Sequence, residues 1–277
     1  MARPLRRLQS GPLVLVARHP ALVDLAAALV RGLEMPGAPP VRWREAVGPI
    51  TVHVGVRDLF NVIPPRRGLR IGIQTEQFFD HEGRALWGQE SRLRLLKYAA
   101  LYDHIIELSA ANASHYAALP AWARRKIHVG PWIFPRAPVS HVAETDSRAV
   151  FFGTLNARRR DILAALNPAP HVIASPTFGD ALDDVVRAHR AVLNIHYQAG
   201  VYAEFPRLLL AYLAGKPVMS EPLGPPMVPG RDYVPLGETI TQEAASAAFA
   251  GFSQNVAGRF RFVAFLAAVG ACAPDQP

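Results

Sequence analysis

The sequence predicts a two-domain α/β protein of parallel sheets with flanking helices. Three observations predict it. The chain has 277 residues, beyond the roughly 100–200 of one typical domain. Short apolar runs rich in Val, Leu and Ile alternate with stretches whose apolar residues recur at helical spacing, as in chains that lay down strands and helices in turn. The two halves also start alike, each with an apolar strand, a loop and a helix, first at Leu13 and again at Ala149.

Leu13–Ala17 reads as a buried strand, and Arg18-His19-Pro20 as a turn with Pro20 at the first helical position. Leu22, Leu25, Leu29 and Leu33 then carry a helix. Residues 41–46 and 50–56 are expected strands, followed by a basic turn at 64–68 and a strand at 69–74. A helix is expected over 93–101, a strand over 104–108, a helix from Ser109 to about Leu119 and a short strand at 127–129. Residues 135–147 hold two prolines and no hydrophobic period, which marks a linker. The expected domains are therefore 1–138 and 139–277. In the second, strands at 149–153, 171–174, 191–195 and 216–220 alternate with helices at 157–166, 179–189 and 203–213, and 251–269 is a terminal helical region.

The chain is basic, with net charge +8 and pI near 10.1. Such a balance suits polyanionic partners. It also suits compositional drift, because the cations are overwhelmingly Arg in a chain rich in Ala, Pro and Gly. The one cysteine, Cys272, leaves no intramolecular disulfide and no Cys-rich metal site. No apolar run reaches the roughly 18 residues that span a bilayer. Residues 1–11 are basic and 13–16 apolar, but Arg18, His19 and Asp24 interrupt any signal-peptide core. The expected location is the cytoplasm. No His/Asp/Glu spacing demands a metal, and the Gly-x-Gly-x-x-Gly and Gly-x-Ser-x-Gly fingerprints are absent.

Residues 191–224, AVLNIHYQAGVYAEFPRLLLAYLAGKPVMSEPLG, resemble the nucleotide-sugar region of GT-B glycosyltransferases, especially the CgeB-like and group-1-like branch. The shared pattern is a strand ending in a polar loop, then a Glu/Phe/Arg-bearing helix, then a small-Gly-x-Pro-Val turn. VFFGTLN at 150–156, followed by Arg158, Arg159 and Arg160, is similar to the opening of the C-terminal domain of that family. IGIQTEQF at 71–78 and YDHIIELS at 102–109 are similar to its N-terminal half. The resemblance is best over 148–236. It implies two Rossmann-like domains facing a cleft, and a hexosyl- or pentosyltransferase that takes a UDP- or GDP-linked sugar as substrate and needs neither cofactor nor metal. The implied acceptor is a hydroxyl, on a surface glycan precursor or on a modified DNA base. The sequence departs from the family at Leu210, where many members carry a ribose-binding Glu, so a ribose contact comes from Glu204 or Glu221 or is absent. The chain is also short for the fold.

Ligands of open α/β sheets bind beyond the carboxyl ends of the strands, which selects the candidate residues. Gly153 and Asn156 lie in a loop before a helix start, where Gly allows close approach of a diphosphate and free N–H groups favour an anion. Arg158 and Arg159 suit bidentate phosphate binding. The bland alternative is that they are solvated helix-start residues, and either way their joint replacement by Ala should leave the melting temperature nearly unchanged. His196 and Tyr197 end a strand and suit contact with base or sugar, or a structural role. Glu204 and Arg207 open the next helix, for hydroxyls and diphosphate respectively, or as a dipole complement and a surface Arg. His19 and Glu76 are rival general bases for the acceptor hydroxyl; a His-Pro turn also serves simply to start a helix. Gln74 and Gln77 beside Glu76 suit hydroxyl recognition. Arg3, Arg6, Arg7, Arg42, Arg44, Arg66, Arg67 and Arg70 leave a DNA acceptor open. Two other functions fit the same residues: a non-catalytic binding protein on a degenerate form of the fold, and a basic nucleic-acid module.

Overall fold

The computed structural model describes residues 4–59, 61–78, 84, 86, 92–173, 177–200 and 203–275. Arg3 and the last residue of the expected strand 171–174 lie outside them. The chain forms two compact units, Met1–Ala137 with Phe260–Pro277, and Pro138–Arg259. Both are Rossmann-like α/β layers of parallel strands and flanking helices.

In the first unit six strands lie in sequence order: β1 (Arg6–Ser10), β2 (Leu13–Ala17), β3 (Ile50–Val54), β4 (Leu69–Gln74), β5 (His104–Glu107) and β6 (Ile127–Val129). All neighbours are parallel except β1 and β2. Those two form a hairpin whose loop is Gly11-Pro12, with Gly11 at φ 55; a two-residue loop needs this positive φ to match the strand twist. β1 was not expected, because its charged residues resemble a leader. The same charges suit an exposed edge strand. Strand β3 is buried at every position, as a strand covered on both faces of a parallel sheet must be, and its buried His53 is paired through Nδ1 with Tyr102 OH at 2.9 Å. Helix α1 (Pro20–Leu33) follows β2 and buries Leu25, Ala26, Leu29 and Leu33. Helix α2 (Arg92–Leu101) and the one-turn helices α3 (Ala113–Tyr116) and α4 (Ala121–Arg124) fill the later crossovers. Around them Phe78, Tyr98, Tyr102, Tyr116 and Leu119 form a core cluster.

Two expectations change here. Residues 41–46 are not a strand: Glu45–Val47 is a 3-10 turn, and Trp43 makes only an isolated bridge to Cys272. Prolines 39, 40 and 49 bracket the segment, and its ladder bonds go to the chain terminus, Arg44 N to Ala271 O and Ala273 N to Arg42 O. The helix expected from Ser109 is broken into the 3-10 turn Ala110–Asn112 and α3, because Asn112 spends its side chain on Phe78 N, Glu76 O and Glu107.

The second unit is all parallel, in the order β11-β10-β9-β7-β8. Its strands are β7 (Asp146–Phe151), β8 (His171–Val172), β9 (His189–Asn194), β10 (Val218–Ser220) and β11 (Val234–Pro235). Its helices are α5 (Ala157–Ala165), α6 (Asp180–Ala188), α7 (Phe205–Leu213) and α8 (Gln242–Phe252). After β7 the chain moves outward to β8, then crosses back to β9. The order therefore reverses between β7 and β9, the switch point where doubly wound sheets open a ligand crevice. The first unit has no such reversal. The Gly-Lys-Pro-Val turn before β10 is structural. Gly215 takes φ 74, and the buried Lys216 ammonium donates to Val142 O (2.7 Å) and Ala143 O (3.2 Å).

The expected terminal helical region, 251–269, is divided between the two units. A π-helical turn at Ser253–Ala257 ends at Gly258, and α9 (Phe262–Ala268) belongs to the first unit. Phe134 N donates to Phe260 O and Phe262 N to Phe134 O, and this pairing draws 260–277 away from the half to which sequence order assigns it. Among the described residues no helix is long and apolar enough to cross a membrane.

Candidate functional site: an arginine cradle at the switch point

The residues beyond β7 and β9 converge. Phe151 ends β7, and Gly153 follows at φ 118. Asn156 caps α5, accepting from Arg159 N at 2.9 Å, and its amide donates to Tyr197 O at 2.6 Å. One side chain thus ties the loop after β7 to the loop after β9.

Arg159 leaves the first turn of α5 and turns inward until it is 3% exposed. Its Nε donates to Ile195 O (2.9 Å), Nη1 to Thr154 O (2.9 Å) and Nη2 to Glu204 Oε1 (3.1 Å). The guanidinium lies over the rings of Phe151 (5.5 Å) and Tyr197 (5.4 Å), a favourable placement for a desolvated cation. Burial, and secondly the charge of Arg207, bring its pKa down to about 10, so it stays charged at neutral pH.

Arg207 reaches the same place from the buried face of α7. Its Nη1 lies 2.7 Å from Asn194 Oδ1 and 2.6 Å from Glu204 Oε2. Its guanidinium lies over Phe151 (5.6 Å) and Phe152 (5.5 Å). Asn194 is held in turn by Ser220, through Nδ2 to Oγ at 2.9 Å. Among the described residues the buried Nε of Arg207 has no acceptor. A Cβ at Gly153 would lie 3.0 Å from Arg207 Nη2 and 3.8 Å from Arg159 Nη1. Glycine is what lets both cations come up to the backbone here.

Arg158 makes a fork with Glu221, Nη1 to Oε2 at 3.0 Å and Nη2 to Oε1, and also donates to His196 O at 2.8 Å. Burial pushes the Glu221 carboxyl up, but Arg158 and the His196 N–H (2.7 Å) outweigh it and hold it below the usual range. His196 is fully buried, with Nε2 3.0 Å from Pro222 O, and burial lowers its pKa so that the ring is neutral. Tyr197 is 44% exposed and offers a ring backed by Arg159. Three guanidiniums and two carboxylates meet here, a net charge of +1 among the five groups.

The structure therefore brings together Gly153, Asn156, Arg158, Arg159, His196, Tyr197, Glu204 and Arg207. It corrects the picture of solvated arginines at the start of α5. Arg158 and Arg159 are folded into the loop ends, and only Arg160 remains outside, 3.4 Å from Leu155 O. Glu221, named above as a candidate ribose contact, and Asn194 complete the arrangement by pairing with Arg158 and Arg207.

His19 and Glu76 belong to the first unit. His19 is exposed and caps α1, its Nδ1 accepting from Ala21 N at 3.3 Å. Glu76 is half-buried at the end of β4, where its carbonyl accepts from Gln74 Nε2 (2.8 Å) and Asn112 Nδ2 (3.0 Å). Gln77 Oε1 accepts from Ser109 Oγ at 3.2 Å. Sequence reading missed Glu107, which pairs in register with Gln74. It is fully buried and accepts from Ser109 N (2.8 Å), Asn112 Nδ2 (3.0 Å) and Tyr116 OH. Burial raises its pKa to about 8 against these bonds, so the group is largely protonated at neutral pH. The signal was a Glu closing an apolar strand just before Ser-x-x-Asn. Arg70, named above among the arginines that leave a DNA acceptor open, is paired with Asp103 at 2.6 Å.

No protein-family model matches the chain, and no curated protein matches it. Among solved structures, the chain is similar to one in a crystal structure of the GtfA/B complex, at 10% identity and TM-score 0.37. The match covers 74% of this chain and 49% of that one, so the chain spans about half the length of that protein.

Proposed function

We propose that this chain is a glycosyltransferase whose second unit binds a UDP- or GDP-linked sugar and transfers a hexosyl or pentosyl group to a hydroxyl acceptor. The observation that carries the reading is the pair of buried guanidiniums, Arg159 and Arg207, set against Gly153 at the switch point, one of them with a buried Nε lacking an acceptor. A pyrophosphate supplies the oxygens such a cradle lacks, and Tyr197 offers a face for a base or sugar ring. In glycosyl transfer the nucleoside diphosphate leaves and negative charge grows on it. Cations already fixed at that point stabilise the transition state more than the ground state. The cradle supplies that charge without a metal. The first unit would serve the acceptor, with His19 or Glu76 taking its proton.

The acceptor is a surface glycan precursor or a modified DNA base. For the DNA version, the exposed Arg6, Arg7, Arg42, Arg44, Arg66 and Arg67 are the phosphate contacts, and acceptor affinity should fall steeply with salt. A specific observation favours a second reading, a non-catalytic nucleotide-sugar binder. Both carboxylates that remain for a ribose, Glu204 and Glu221, are already paired with arginines.

Calorimetry with UDP and GDP, followed by a hydrolysis assay on a panel of their sugars, tests both. Tight diphosphate binding with sugar release is the expected result. Binding without release selects the second reading, and no binding of either diphosphate at millimolar concentration overturns both. Arg207→Met should lose binding while keeping the bulk of α7 packed.

A further inference from the structure

Glu204 is held in an unusual way. It stands at the N-cap position of α7, yet its side chain caps no backbone N–H. Its carboxylate instead lies between the two buried arginines, with Oε1 3.1 Å from Arg159 Nη2 and Oε2 2.6 Å from Arg207 Nη1. Its side chain is 27% exposed, whereas those of its partners are 4% and 10% exposed. It is thus the solvent-facing lid on two cations whose other partners, among the described residues, are carbonyls, an amide oxygen and aromatic rings.

We propose that the Glu204 carboxylate is an internal counter-anion that occupies the phosphate position and is displaced when an anionic ligand enters. The inference rests on the diphosphate reading given above. Two like charges held side by side away from water need an anion between them. In the unliganded chain Glu204 is that anion. One carboxylate does not complete the cradle, since among the described residues Arg207 Nε stays buried without an acceptor. A phosphate brings more charge and one more oxygen, enough to replace both Glu204 contacts and reach Nε as well. Exchange costs little on the other side, because a partly exposed carboxylate can move into water. After leaving the arginines it still sits at the positive end of α7. No bond is made or broken in this step; one anion replaces another. The consequence is selectivity. The cradle should discriminate against weak monoanions, which cannot outcompete a tethered carboxylate, and admit polyanionic phosphates.

The test is calorimetric titration of the full chain with UDP and with inorganic pyrophosphate, in the wild type and in Glu204→Gln. Gln keeps the shape and an amide oxygen but removes the competing charge. Both probes should bind the variant about tenfold more tightly, and saturating pyrophosphate should raise its Tm more than it raises the wild type's. If the wild type binds UDP and Glu204→Gln binds no more tightly, Glu204 is not displaced and the inference fails while the diphosphate reading stands. If neither protein binds either probe, the diphosphate reading itself fails. Should Glu204→Gln not fold, Glu204→Asp carries the test. Its shorter carboxylate cannot span both arginines, so affinity should rise a few-fold, and an unchanged or weaker affinity overturns the proposal.

Discussion

Replacing Arg159 by Leu tests whether this side chain is part of the folded interior. The substitution keeps an apolar stem against Phe151 and removes the guanidinium. Three acceptors then lose their donor: Ile195 O, Thr154 O and Glu204 Oε1. Glu204 is 27% exposed and can rehydrate, so its lost pair costs about 1 kcal/mol, and each of the two carbonyls left without its donor adds about 1–3 kcal/mol. Two gains offset part of this: relief of repulsion from Arg207 and the burial of apolar surface. A net loss of about 4 kcal/mol follows, or about 12 °C in Tm at roughly 3 °C per kcal/mol. Differential scanning calorimetry of wild type and variant reads it directly. A solvated arginine at a helix start would change stability by only about 0.5 kcal/mol. A fall in Tm of less than about 3 °C would therefore refute the inward placement of Arg159, and with it the cradle. The structure reverses the expectation that removing Arg158 and Arg159 leaves Tm nearly unchanged.

Arg158→Ala should cost less, about 1–2 kcal/mol by urea denaturation, because its partner Glu221 is still held by the His196 N–H and can rehydrate. Gly153→Ala places a methyl 3.0 Å from Arg207 Nη2 on a backbone at φ 118. It should lose about 1–3 kcal/mol and weaken UDP binding in calorimetry; an unchanged affinity would show that ligand does not approach this backbone. Glu107 has its folded pKa raised from 4.5 to about 8. Between those values the unfolded chain has released the proton that the folded chain still holds. The contribution of Glu107 to stability is therefore complete below about pH 4.5 and is lost as pH rises toward 8, at up to about 1.4 kcal/mol per pH unit. Urea unfolding at pH 5, 6.5 and 8 should show this slope in the wild type and lose it in Glu107→Gln; an identical slope in both would contradict a buried, protonated Glu107.

Much of the architecture was legible in the sequence, because strands buried on both faces and amphipathic helices write their burial into local spacing. Leu13–Ala17, Leu69–Gln74 and Ile127–Val129 are strands as their apolar runs predict, and the loops after Phe151 and Asn194 were marked by Gly153 and by His196-Tyr197. The edge strand β1 and the broken segment 41–47 were not legible. Their structure depends on what they pair with, Leu13–Ala17 in one case and the chain terminus in the other.

The sequence by itself determined which residue types stand at the strand ends of the second unit, since position along an element follows from period and turn chemistry. Only the tertiary structure decided what those residues do. Arg159 is an interior cation because Ile195, 36 positions away, presents its carbonyl, and Arg158 is neutralised because Glu221, 63 positions away, faces it. Charge pairing and desolvation act through space between elements that the strand order β11-β10-β9-β7-β8 brings together. A linear pattern reports the burial of one element against the rest, but not which charge meets which.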